Sequence, residues 1–152
     1  MEMRALNPGD LELVCRHREQ MFREAGSAEH GLHTMTAHFR RWLQPRLADG
    51  SYFGYLLLEQ GRAVAGIGLM LIDWPPHPAH PDTDKRGYVL NVYVEPAFRK
   101  RGLASQLMQL AQAQFAQRGA RFAILHATDA GRGLYEALGW KGTTEMAKAI
   151  DR

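Results

Sequence analysis

Apolar positions along this 152-residue chain change period several times, and each change marks an element. "EMRAL" alternates as a short first strand. "PGD" reads as a turn with Asp10 as helix cap. Leu11, Val14, Met21, Phe22 and Ala25 then recur at helical spacing until Gly26 stops the run. "TMTAHFRRWLQPRLADG" predicts a second helix, capped by Thr36, bent at Pro45 and ended by Gly50. The period then drops toward that of strands. "SYFGYLLLE" and "AVAGIGLMLIDW" flank "QGR" as a β-hairpin, with Gly66 and Gly68 weakening its second strand. "PPHPAHPDTDKRG" is a polar loop of a length that often carries function. "YVLNVYV" is a strand. Leu103, Leu107, Leu110, Ala111 and Phe115 form one face of a long helix ending near Gly119. "RFAILHAT" is a strand, "DAGRGLYEALG" a helix stopped by Gly139, and "WKGTTEMAKAI" is expected to close the chain as one or two strands.

The order β-α-α-β-β-β-α-β-α-β predicts an α/β fold on a central mixed sheet, with helices on both faces. The middle strands are expected to pair antiparallel. The strands at 87–94 and 121–127, joined through a helix, are expected to be parallel neighbours. Neither repeats nor linkers interrupt the chain, so residues 1–152 are read as one domain. The hydrophobic share of 45% and charged share of 23% are ordinary for a globular protein. No apolar run approaches a membrane span, and the start lacks a secretory pattern, so a cytoplasmic protein that engages no membrane is expected. The lone cysteine, Cys15, falls in a helix-like run and is read as a packing residue.

Charge narrows the picture further. The net charge is +3, without the long basic stripe or interleaved aromatics of a nucleic-acid surface, so no nucleic-acid partner is expected. The positive charge gathers instead at "FRKR", where a strand ends at Pro96 and a helix begins. Helix-start N–H groups lack intrahelical partners and sit at the positive end of the dipole. Arg99, Lys100 and Arg101 at that end oppose the usual preference, and a bound anion would reverse the sign. Gly102 removes a side chain and Ala104 keeps the next close position small. The junction reads as a cradle for a pyrophosphate, although neither the P-loop nor the dinucleotide fingerprint is present.

The segment "VYVEPAFRKRGLASQLM" resembles the acetyl-CoA-binding segment of the GNAT family of N-acetyltransferases, whose signature [Q/R]-x-x-G-x-[G/A] appears here as Arg99-x-x-Gly102-x-Ala104. Downstream, "RGLYEALGW" resembles that family's "LYxxLGF" segment. The element order fits nearly the whole chain. The resemblance implies acetyl-CoA as cosubstrate, lying between two parallel strands that splay because one carries a bulge. Main-chain groups of Val92, Tyr93 and Val94 would hold the pantetheine arm and the thioester oxygen, and Arg99, Lys100, Arg101, Gly102, Leu103, Ala104 and Ser105 the pyrophosphate. Tyr135 would protonate the departing thiolate. Thr128, where many relatives carry asparagine, would touch the cofactor or cap a helix. The acceptor implied is an amine of a small molecule or peptide, acetylated directly, and a homodimer through the C-terminal strands is one assembly the resemblance suggests.

The residues leave one role open. "GYVLNVYV" has no carboxylate to serve as general base. Asn91 can hold a water but not take a proton, Glu95 sits beside the proline, and His126 has the right titration range but is equally read as structural. That gap motivates an alternative, an acyl-CoA-binding regulatory module without turnover. His77, His80, Asp82 and Asp84 are numerous enough for a metal but lack its spacing, so no metal is expected and a lid or substrate-side loop is preferred. His30, His33 and His38 are read the same way, beside the acceptor site.

Overall fold

Gln60 and Gly61 both take left-handed backbone, with φ of 51° and 76°. That is the geometry of a two-residue hairpin turn whose twist suits its flanking strands. The computed structural model, which describes residues 1–151, builds outward from this hairpin of β2 (Phe53–Glu59) and β3 (Arg62–Asp73). β1 (Glu2–Ala5) pairs antiparallel with β2, and β4 (Lys85–Val94) antiparallel with β3. β5 (Ala123–Leu125) joins β4 in parallel, which completes a five-stranded sheet whose strands lie side by side in chain order. This is the expected mixed sheet, although β5 is much shorter than the 121–127 run suggested.

Helices cover both faces. α1 (Leu11–Glu24) and α2 (Glu29–Asp49) pack on one. Their Val14, Cys15, Phe39, Leu43 and Leu47 bury with Tyr52, against Met70 and Leu90 of the sheet. α3 (Leu103–Gln117) packs on the other, where Leu103, Leu107, Met108, Ala111 and Phe115 meet Leu57, Val64, Ile67, Leu69 and Val89. Met108 takes the fully buried place expected for Leu110, which stays half-buried. α4 (Asp129–Ala137) closes this side, with Tyr135, Leu138 and Trp140 on the same cluster.

Several expected ends move. α2 begins at Glu29 with Ala28 as its cap and runs through Pro45 to a left-handed Gly50. Thr36 therefore lies inside the helix, where its hydroxyl donates to Glu19 Oε1 at 2.8 Å. Asp10 stands at the cap position of α1 but makes no cap bond there. Its carboxylate accepts both terminal nitrogens of Arg4, at 2.8 and 2.9 Å, and the Asn7 N–H, so it closes the preceding turn instead. Residues 140–151 form no strand, so the strands expected to carry a dimer interface are absent among the described residues. The run has few apolar positions at strand spacing, and no free sheet edge adjoins it beyond the three residues of β5.

Gly66 and Gly68 mark close approach rather than weakness. β3 continues through both, and a Cβ at Gly68 would stand 1.9 Å from the Tyr52 hydroxyl. Tyr52 cannot swing aside, because it is 1% exposed and accepts a hydrogen bond from Asn91 Nδ2 at 2.8 Å. Gly68→Ala is therefore expected to lower stability by about 1–3 kcal/mol, seen as an earlier urea midpoint, while an alanine at the open Gly133 changes little.

Candidate active site

β4 and β5 stay together only at Gly87, Tyr88 and Val89, which face Ala123, Ile124 and Leu125. Beyond Val89 they part. The cause lies on the other edge of β4, where its pairing with β3 slips between Gly66 and Gly68: Gly66 faces Tyr93, but Gly68 faces Leu90. Asn91 and Val92 thus stand opposite the single residue Ile67, a β-bulge. Asn91 carries it with φ of 57°, a conformation asparagine tolerates better than other residues with a side chain. Its buried amide is committed at both ends, accepting from Arg18 Nη1 at 2.7 Å and donating to Tyr52. The expected water-holding role for Asn91 is replaced by this structural one.

The parting opens a cleft of about 840 Å³. Val92, Tyr93 and Val94 line it from β4. The Val94 carbonyl turns away from β3, since it accepts Arg99 Nε at 2.9 Å. The floor at one end is the start of α3. Gly102 has φ of 76° and Lys100 φ of 64°, so the loop folds tightly in left-handed backbone just ahead of the helix. A Cβ at Gly102 would meet nothing within 4 Å. The glycine thus serves the backbone turn as well as leaving the approach open. No side chain caps α3. Gln106 N–H reaches the Gly102 carbonyl, but those of Leu103, Ala104 and Ser105 have no partner among the described residues, and all three residues line the cleft.

The three cations separate. Lys100 and Arg99 line the cleft. Arg99 is tied down, with Nη2 donating to Glu24 Oε1 at 2.6 Å. Arg101 lies outside the lining, its guanidinium 5.1 Å from the Phe98 ring centre. Glu24, on α1, also accepts the Tyr93 hydroxyl at 2.7 Å. Partial burial pushes its carboxyl up, but the bonds from Tyr93 and Arg99 outweigh that and leave it below the ordinary carboxylate range. Burial, and then the Glu24 carboxylate, push the Tyr93 phenol up to about 12.

Across the cleft stand Thr128 and Tyr135. Thr128 Oγ1 accepts the Gly131 N–H at 3.2 Å and so caps α4. Gly131 packs closely beside it: a Cβ there would come within 3.2 Å of the Tyr135 ring. Leu134 lines the cleft, whereas Tyr135 packs on the core with Leu138 and also lines the cleft. Tyr135 thus stands at the cleft while its ring also packs on the core. The Tyr135 hydroxyl has no hydrogen bond from the described residues, and burial raises its pKa. Gly139, with φ of 95°, ends the helix, and Trp140 N–H returns to the Tyr135 carbonyl, the C-cap expected from the sequence.

Of the groups weighed as base from the sequence, none lines the cleft, although the carboxylates of Glu24 and Asp129 do. His126 is exposed and lies in a second groove beside Glu145, 3.7 Å away. Glu95 turns toward α1, 3.5 Å from Arg16. The 75–86 loop lies at the opposite end of β4 from the cleft, so it is no lid over it. Its His77 and His80 bridge each other, and buried His80 takes the Arg86 Nε–H at 3.0 Å. His30, His33 and His38 do not line the cleft either. Among the described residues no group of three or more histidine, cysteine or acidic side chains stands close enough to hold a metal ion, and no helix is long and apolar enough to cross a membrane. Cys15 is buried, and burial raises its pKa.

Glu24 and Arg18 of α1 were not singled out from the sequence, and Met21 was read only as an apolar position of that helix. Their partners lie far along the chain, and an amphipathic helix gives no sign of which polar residue will turn inward. Met21 and Glu24 line the cleft.

The sequence model of the Acetyltransferase (GNAT) family matches residues 14–140. Among solved structures, a GCN5-related N-acetyltransferase from Ralstonia eutropha JMP134 is 60% identical, with a TM-score of 0.97 over 98% of this chain and 97% of its own. A predicted acetyltransferase from Clostridium acetobutylicum, solved with acetyl-CoA, is 22% identical, with a TM-score of 0.87 over 98% of this chain and 95% of its own. An aminoglycoside antibiotic 6'-N-acetyltransferase from Acinetobacter haemolyticus is 16% identical, with a TM-score of 0.72 over 100% of this chain and 99% of its own. No curated protein matches the sequence.

Beneath Tyr93 lies His17, its ring 5.0 Å from the tyrosine ring and its side chain 3% exposed. Burial, and then the Arg16 charge, lower its pKa to about 4. Glu95 Oε1, 3.8 Å from Nε2, is too distant for a hydrogen bond, and Nε2 has no partner. We therefore take the ring as neutral. A lowered folded pKa means that the unfolded chain binds the proton first. The stability this residue contributes is full above about pH 6.5 and is lost as pH falls toward about 4. The loss should reach about 3 kcal/mol, at about 1.4 kcal/mol per pH unit. Urea unfolding across that range should show the slope in the parent protein and lose it in His17→Gln.

Proposed function

With this chain belonging to the GNAT family of acetyltransferases, enzymes that move acetyl from acetyl-CoA to an amine, we propose that the fork of β4 and β5 is where it does so. The observation that carries this reading is convergence. The unpaired edge of β4, the uncapped start of α3 and Tyr135 all line one cleft. The fit to acetyl-CoA rests on the donor set. The free N–H groups of Leu103, Ala104 and Ser105, with Lys100 beside them, suit a pyrophosphate, which a helix start binds through both its N–H groups and its dipole. Gly102 leaves that approach clear. The acetyl-CoA described for the Clostridium acetobutylicum structure supports the same assignment.

Acetyl-CoA supplies the acetyl group as a thioester, and this chain supplies position and protons. Main-chain groups of Val92, Tyr93 and Val94 would hold the pantetheine arm as a strand holds its neighbour. An N–H there would also meet the carbonyl oxygen as it gains charge, where a fixed donor helps the transition state most. Arg99 is drawn off by Glu24 and by the Val94 carbonyl, so it must release that carbonyl if the arm is to use it. Arg101, stacked on Phe98 outside the cleft, is the weakest of the proposed contacts. Thr128 acts through α4 by capping it. Tyr135 is protonated at neutral pH, and its hydroxyl is free to give its proton to the sulfur as the C–S bond breaks. The acceptor nitrogen would shed its own proton to water: of the two carboxylates that line the cleft, Glu24 is engaged by Tyr93 and Arg99, and Asp129 belongs to the first turn of α4. The reading takes residues 1–152 as one catalytic domain working in the cytoplasm on the amine of a small molecule or peptide.

Two measurements test it. Acetyl-CoA at about 100 times its Kd should stabilise the protein by about 2.7 kcal/mol, and Gly102→Asp should abolish that gain. Tyr135→Phe should bind acetyl-CoA as the parent does but release CoA about 100-fold more slowly in the presence of an acceptor. Stabilisation without turnover on any amine would favour the regulatory module. No stabilisation of the parent protein would overturn the site.

A further inference from the structure

Arg18 is a cation enclosed by the fold without an anion. Its guanidinium carbon lies 5.0 Å from the Phe22 ring centre and 4.8 Å from that of Phe39. Burial lowers its pKa, and the ionisable groups that oppose this are the phenols Tyr52 and Tyr88, not carboxylates. One hydrogen bond holds it, from Nη1 to Asn91 Oδ1. Nε is buried without a partner. Nη2 also lacks one but is not among the buried atoms, so it is open to a ligand. Among the other arginines of α1 and α2, Arg16, Arg23 and Arg40 pair with glutamates, while Arg41 and Arg46 donate to carbonyls of their own helix. Arg86, the other enclosed arginine, spends its Nε on His80.

Position gives this orphan a role. Arg18 precedes Met21 and Ala25 at helical spacing, so it lies one turn along the same face of α1 that reaches the cleft. Its bond to Asn91 sets it at the residue where β4 leaves β3's register, next to Val92 of the cleft wall. Tyr88, on the last rungs that join β4 to β5, feels the Arg18 charge, and its hydroxyl too has no partner among the described residues. Neither Arg18 nor Tyr88 lines the cleft itself, but both stand beside the bulge from which the fork opens, with donors that have no acceptor among the described residues. A buried guanidinium calls for an anion, and its planar pair of N–H groups matches two carboxylate oxygens. A phosphate dianion would call for a second cation, and the ionisable groups facing Arg18 are phenols.

We propose that Arg18, seconded by Tyr88, recognises a carboxylate on the acceptor, so that the substrate is an amine that also bears a carboxylate, such as an amino acid or a short peptide end. This rests on the acetyl-transfer reading above and narrows it.

The test is CoA release from acetyl-CoA with the protein amino acids and their C-terminal amides as paired acceptors. At least one acid should be used with kcat/KM about 100-fold above that of its amide. In Arg18→Gln the KM for that acid should rise about 100-fold more than the KM for its amide, a ratio that cancels whatever the loosened Asn91 clamp costs both, and in Arg18→Lys, which keeps charge but loses the fork, the excess should be smaller. Thermal stabilisation by acetyl-CoA checks that both variants keep the cleft. Equal use of acid and amide, transfer to amides only, no transfer to any acid by a protein that binds acetyl-CoA, or an unchanged ratio of the two KM values in Arg18→Gln would each overturn the proposal. Absent stabilisation of the parent by acetyl-CoA would instead overturn the reading beneath it.

Discussion

The site depends on one residue held in an unfavourable backbone conformation. Asn91 has φ of 57° inside a strand, which costs on the order of 1 kcal/mol even for asparagine. Left alone, β4 would straighten, regain its register with β3 and run on beside β5. It does not, because the Asn91 amide is clamped between Arg18 and Tyr52 in a place closed to water. Each such bond is worth about 1 kcal/mol, and more where one partner is charged. Breaking either would leave a buried polar group unpaired. Straightening is thereby made costlier than the strain. Gly68 completes the arrangement, since only a residue without a side chain leaves room for the Tyr52 hydroxyl.

From that clamp the rest of the cleft follows. Once β4 is displaced, Val92–Val94 lose their neighbour on the β5 side, and Pro96 prevents the strand from running on. The chain must turn into α3, and the left-handed backbone at Lys100 and Gly102 makes the turn tight. A helix entered this way has no polar side chain at its cap, which leaves three N–H groups for another partner. Positive charge gathers there against the dipole. Part of it is relieved inside the protein, where Glu24 holds Arg99. Lys100 is left facing the cleft without such a partner among the described residues.

How far this could be read from the sequence differed by scale. The sheet's antiparallel middle, the parallel partner and the faces of α1 and α3 were legible, because period and turn residues are local signals. The loop at Arg99–Ser105 was legible too, since strand, proline, cations and glycine follow one another directly. The bulge at Asn91 was not. Nothing in "GYVLNVYV" distinguishes an asparagine that holds water from one that breaks register, because the deciding contacts come from Arg18 and Tyr52, far away in the chain. The start of α2 was missed for a related reason: "SAEHGL" has no capping side chain that works, and Glu29 is fixed instead by Arg23 across the α1–α2 turn. The closing strands failed because apolar content was sparse and β5 too short to extend the sheet.

Burial decides which phenol near the fork suits the proposed acid. Tyr93 and Tyr135 both line the cleft, and burial raises both above the ordinary value, so both carry their protons at neutral pH. A donor must also be free to give. The Tyr93 proton is engaged by Glu24 at 2.7 Å, and losing it would set two negative charges side by side, one reason its pKa reaches about 12. Tyr135 has no such neighbour. Desolvation alone raises it, and a thiolate departing beside the partly buried ring would be disfavoured by the same effect. Transfer between them exchanges one poorly solvated anion for another, so the step is close to balanced where a thiolate left uncombined would be costly.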